Sequence, residues 1–152
     1  MSFPPLHPGD TVAADHLAHI FGGLRNRTLP KAEWTHGAHL TAAVALLDEA
    51  GFDGALAAMP DMIRRYNEAT SVNNTDTEGY HHTITVFYLQ VIDDFRRSVH
   101  KKTPHEQATA LLASPSAARD YALQFYSREL LFSVDARRNY CAPDIKPYPG
   151  QV

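Results

Sequence analysis

A chain of 152 residues, 44% of them hydrophobic, can bury one core and is short for two domains. A formal net charge of −3 provides no basic footprint for nucleic acid, and the longest apolar runs fall far short of a bilayer span, so neither nucleic-acid nor membrane partners are expected. A lone cysteine, Cys141, rules out an internal disulfide, and the opening MSFPPLHPGD has no basic or apolar leader region; both features predict a cytoplasmic protein.

In chain order, residues 1–9 carry three prolines and read as an extended arm. Asp10 or Thr11 can cap a helix over about 11–21, with Gly22–Gly23 as its stop. A polar loop with Pro30 leads into an Ala- and Leu-rich helix over about 31–50. Gly51 and Asp53 mark a turn. A third helix covers about 53–69, with Leu56, Met59, Ile63, Tyr66 and Asn67 on its inward stripe and Pro60 as an expected kink or split. Residues 70–79, TSVNNTDTEG, form a turn-rich loop with Val72 as its only apolar residue, predicted to be a mobile rim or lid.

The most informative stretch follows, Gly79 to Val99, read as one long helix. At about 100° per residue, His81, Ile84, Thr85, Tyr88, Val91, Ile92, Phe95 and Val99 share one stripe. Thr103-Pro104 then starts a helix that ends near Ser114, and Ser114-Pro115-Ser116 starts another over about 116–126. Leu130–Phe132 is a short apolar patch suited either to a second copy in a homodimer or to the chain's own bundle. Ser133 caps one or two further turns, and the Pro-rich tail 141–152 is expected to be irregular. No alternating strand pattern occurs. The fold class is all-α: a single-domain helical bundle over 1–152, with about four main helices and shorter C-terminal pieces.

Nine histidines are many for this length. His36 and His39 share the inward face of one helix with Leu40, Ala43 and Leu47, and His81 points inward from another. Unpartnered buried imidazoles cost roughly 2–7 kcal/mol each in the harshest reference state, and a shared divalent metal removes that cost. His36, His39 and His81 are therefore the expected metal ligands, for Fe, Zn, Mn or Ni, with an open fourth position. The bland alternative is core histidines hydrogen-bonded to their surroundings. Glu33, Glu78 and Glu129 are carboxylate candidates or ordinary caps and surface charges. His82 flanks the site or packs between helices. His16 and His19 repeat the i, i+3 spacing, but His16 beside Asp15 is expected to be exposed. Expected catalytic residues are His81, His82 and Thr85. Thr85 either orients an imidazole or back-bonds to its own helix. Trp34, Tyr66, Asn67 and Tyr88 are the expected substrate-binding residues.

WTHGAHL at 34–40, IRRYN at 63–67, GYHHTIT at 79–85, SVDAR at 133–137 and PDIKP at 143–147 resemble the ordered motifs of an uncharacterised family of small bacterial all-helical proteins. The resemblance spans about three-quarters of the chain and singles out His36, His39, Asn67, His81, Thr83 and Thr85. Where that family has Glu after the GYH histidine, this chain has His82, which implies a changed site. The functional expectation is a metal-dependent enzyme acting on a small organic molecule. Its alternatives are a non-enzymatic small-molecule-binding protein and a metal-free acid–base enzyme using a buried histidine.

Overall fold

The structure, a computed structural model, describes residues 3–148. Among them are helices and 3₁₀ turns and no strand: α1 (Ala14–Asn26), α2 (His36–Ala69), α3 (His82–Ser98), α4 (Pro104–Leu112), α5 (Arg128–Leu131) and α6 (Val134–Arg138). Three 3₁₀ turns, Lys31–Glu33, Pro115–Ala117 and Tyr121–Gln124, join them. The single-domain all-helical bundle expected from hydrophobic periodicity is the fold observed.

α1 begins later than its capping residues suggested, because the Asp10 carboxylate accepts the His7 N–H at 2.8 Å and closes a turn ahead of the helix. It also runs through Gly22–Gly23 and ends at Arg27, in the left-handed region at φ 61°. Gly23 serves packing instead: a Cβ there would lie 2.8 Å from Leu29 Cβ, so only glycine lets the returning chain press against the helix. The N-terminal arm is docked. Leu6 is buried, its carbonyl accepts the Thr35 hydroxyl at 2.5 Å, and Gly9 N–H donates to Leu112 O at 2.7 Å.

α2 starts at His36, with Thr35 accepting the Ala38 N–H, and the preceding residues form a 3₁₀ turn rather than the expected first helical turn. Its one non-helical residue is Gly51, at φ 72°, ψ 179°, where the sequence predicts a turn. Pro60 does not break the path, as the backbone stays helical through it. α3 starts at His82, three residues after the expected Gly79, because His81 is its N-cap rather than part of its first turn. α4 follows the sequence closely: Thr103 and Glu106 form a reciprocal capping box with Pro104 in the first position. The helix expected over 116–126 is replaced by two 3₁₀ turns.

α2 is the hub, packed against α1, α3 and α4. Its Leu40, Leu46 and Leu47 meet Ile20 and Leu24 of α1, Leu89 and Ile92 of α3, and Leu111 and Leu112 of α4 in the main core. A second, aromatic cluster joins Phe87 and Val91 of α3 to Phe125, Tyr126, Leu131 and Tyr148. α3 is therefore buried on two sides, and the C-terminal segments wrap it. Leu131 belongs to this cluster, whereas Phe132 is 55% exposed, so the apolar patch is divided between core and surface. His16 is also buried, stacked under Phe3 at 4.6 Å, against the expectation of exposure; a ring from the arm covers it. Among the described residues no helix is long and apolar enough to cross a membrane.

The loop over 70–79, expected to be a mobile rim, is pinned along both edges. Asn74 Oδ1 accepts Asn67 Nδ2–H and Tyr80 N–H, each at 3.0 Å, and its Nδ2 donates to Arg64 O at 3.1 Å. Arg138 holds Asp76 through two hydrogen bonds, and Gly79 at φ 80° lies so close to Asn73 that a Cβ would not fit. Asn74→Ala leaves two donors and a carbonyl without their partner and should cost about 1–3 kcal/mol. Urea unfolding checks this; a loss below about 0.5 kcal/mol, the range of ordinary surface substitutions, would show that the loop is not a brace.

Candidate functional site

The break at Gly51 lets both halves of α2 face the same space. His36, His39, Leu40 and Ala43 approach it from the first half, and Met59, Ile63 and Asn67 from the second. α3 closes it with Ile84, Thr85, Tyr88, Leu89 and Ile92, and Trp34, Val72, Gly79, Tyr80 and His81 complete the wall. The result is a cavity of ≈ 390 Å³, within the usual range for small-molecule sites. No Asp, Glu, Lys or Arg lines it.

Trp34, His36, His39, Asn67, His81, Thr85 and Tyr88 are thus brought together, as expected. Their chemistry differs from that expectation. His81 uses both ring nitrogens: Nδ1 accepts the Ile84 N–H at 3.2 Å, which places the proton on Nε2, and Nε2–H donates to Leu131 O at 2.6 Å. No lone pair remains for a metal or a substrate proton. Burial lowers its basicity, partly offset by the Leu131 bond. Among the described residues, no three His, Cys, Asp or Glu side chains are grouped so as to hold a metal ion. The three-imidazole centre expected from spacing is not assembled here, because one of its members caps a helix.

His36 and His39 remain. The His39 ring stacks on Trp34, with centroids 3.7 Å apart and planes at 28°. Neither of its nitrogens has a hydrogen-bond partner among the described residues. Burial, with a smaller effect from His36, pushes its pKa down to about 3. His36 meets Tyr88 edge-on at 5.4 Å, and His36 Nε2 and the Tyr88 hydroxyl are both buried without a hydrogen-bond partner. Burial lowers the His36 pKa, assisted by the charge of Arg119, and pushes Tyr88 up to about 12. Both imidazoles are neutral near pH 7.

The other expected site residues act as supports. Thr85 lines the cavity, but its hydroxyl donates to His81 O at 2.9 Å, the back-bond expected of a helical threonine. Asn67 lines the cavity and donates from Nδ2 to Asn74 Oδ1. Tyr66 and His82 do not line the cavity. The Tyr66 hydroxyl donates to Leu29 O at 2.8 Å while its ring meets Trp34 edge-on at 5.3 Å. His82 Nδ1 bonds the Tyr80 hydroxyl at 2.8 Å. Thr83 donates to Asn139 O and accepts the Cys141 N–H, tying α3 to the C-terminal tail. Glu33 is buried and bonded to His19 at 2.7 Å, and Glu78 and Glu129 are exposed.

Sequence reasoning missed Tyr80 as a wall residue and Leu131 as the partner of His81. Tyr80 precedes the helix, so periodicity assigns it no face. A carbonyl 50 residues away carries no signal in a sequence. Comparison with family models, curated proteins and solved structures finds no match for the chain.

Proposed function

We propose that the protein binds a small, uncharged organic molecule in the cavity between α2 and α3, without catalysing a reaction on it. The supporting observation is an apolar cavity that holds an unpaired neutral imidazole, His39, and no charged side chain. General acid–base catalysis works best with groups that titrate near the working pH. A histidine near 3 is a weak base and a tyrosine near 12 is a weak acid, so the site is better suited to accepting and donating hydrogen bonds than to moving protons. A metal bound through His81 Nδ1 would displace the Ile84 N–H and undo the α3 cap.

Trp34 is the only tryptophan and lines the cavity, so its fluorescence reports occupancy. Toluene should cause a saturable change in Trp34 emission and raise the melting temperature by mass action. Ala43→Phe, which fills the cavity, should abolish both effects. No saturable response to toluene or other small aromatics would overturn the binding reading. Stoichiometric metal in untagged protein, lost in His36→Ala, would restore the metal reading in its place.

A further inference from the structure

Three guanidinium groups stand behind the cavity wall without entering it. Arg64 lies over the Tyr80 ring, 4.3 Å from its centroid. Arg137 Nη1 donates to Gly79 O at 3.1 Å and to Tyr80 O at 3.4 Å. Arg119 is near enough to His36 for its charge to disfavour an imidazolium there. Carboxylates offset them in part: Asp76 interacts with Arg137, and the charge of Asp120 is felt at the Tyr88 hydroxyl. Arg64 and Arg119 are exposed, so water screens them, and the cavity wall itself presents no charged side chain of either sign.

That arrangement sorts ligands. An ion of either sign loses its hydration and meets no counter-charge within the wall. A neutral molecule avoids that cost. His39 narrows the choice further, because a neutral imidazole lining the cavity can accept a ligand O–H or N–H. The aromatic lining of Trp34, Tyr80 and Tyr88 suits a planar ring over a bulky aliphatic one, with its hydroxyl directed at the edge of His39.

We propose that the ligand is of the phenol class: a neutral aromatic ring bearing a weakly acidic hydroxyl that donates to His39. A phenolic O–H is a stronger donor than an alcohol's, which suits a neutral imidazole acceptor. The proposal rests on the ligand-binding reading above and deepens it.

Trp34 fluorescence titrations with 4-methylphenol, toluene, 4-methylbenzoate and phenyltrimethylammonium test it. 4-Methylphenol should bind about tenfold or more tighter than toluene, the value of one good hydrogen bond. The benzoate and the ammonium ion should bind more weakly than toluene. In His39→Phe the ratio of 4-methylphenol to toluene affinity should fall to about one. If toluene binds and 4-methylphenol binds no tighter, or the benzoate binds tightest, the phenol assignment falls and the cavity remains a binding site. If none of the four binds, both fall. Should His39→Phe not fold, the ranking of the four ligands on the wild-type protein decides, with His39→Gln as the second variant.

Discussion

Lowering the pH from 7 to 4.5 should cost the protein about 2–3 kcal/mol through His39 alone. An imidazole in the unfolded chain takes up a proton near pH 6.5, whereas the folded protein holds His39 neutral down to about 3 because the ring is buried. Between those values the unfolded state binds more protons, so stability falls as the pH falls, and the full contribution across the window is on the order of 5 kcal/mol. His36, His81, His82 and His16 are all shifted down by burial and act in the same direction. Carboxylates held low by partners, such as Asp76 beside Arg138 and Glu49 beside Arg25, lose most of their contribution below pH 4.5, so the histidines dominate the range from 7 to 4.5. Urea unfolding across that range should give a steep decline for the wild-type protein and a shallower one for His39→Gln, which keeps a polar, uncharged side chain. Parallel curves for the two proteins would show that His39 is solvated and that the cavity is wetter than its walls suggest.

His81→Ala should be the most damaging single substitution at the cavity, because both ring nitrogens of His81 hold backbone groups. The change removes the N-cap of α3, about 0.5–2 kcal/mol, and strands the buried Leu131 carbonyl, about 1–3 kcal/mol. A combined loss of about 2–4 kcal/mol corresponds to a fall in melting temperature of about 5–12 °C for a chain of this size. His81→Asn should recover only the cap, since asparagine caps well but is too short to reach Leu131. Measured with chelator present, the experiment separates the structural role from a ligand role: a cap and brace destabilises metal-free protein, whereas a metal ligand leaves its stability nearly unchanged. A melting temperature within about 1 °C of wild type in chelator would refute the brace. Hydrogen exchange should also show faster opening of residues 128–141 in His81→Ala, because Leu131 is one of the points that tie this segment to α3.

The dual employment of His81 shows where local pattern stops being informative. Its place on the apolar stripe of α3 was legible in the sequence, and so was its neighbourhood with His36, His39, Thr85 and Tyr88. The spacing rules that put those residues on one face are properties of any α-helix. Which ring nitrogen is free depends on what approaches from outside the helix. The Leu131 carbonyl, brought over by α5, holds the proton on Nε2, which leaves the Nδ1 lone pair to cap the helix through the Ile84 N–H. The loop over 70–79 repeats the lesson. Its polar composition predicts mobility, but Asn74 converts that polarity into three specific bonds to partners that only the fold brings within reach.

By itself the sequence determined the helical class, the turn at Gly51, the capping box at Thr103, the Ser133 cap and the set of residues that could share an inward face. These follow from intrinsic propensity, side-chain period and short-range capping, all of which act within a few residues along the chain. Tertiary structure alone decided that Gly23 is a packing contact instead of a stop, that residues 116–126 relax into 3₁₀ turns against the aromatic cluster, and that His16 is covered by Phe3. It also decided that His81 commits both ring nitrogens, to Ile84 and to Leu131, while His36 and His39 face the cavity. Hydrogen bonds between residues 50 positions apart and the loss of solvent around a ring set those outcomes, and neither leaves a trace in the local order of amino acids.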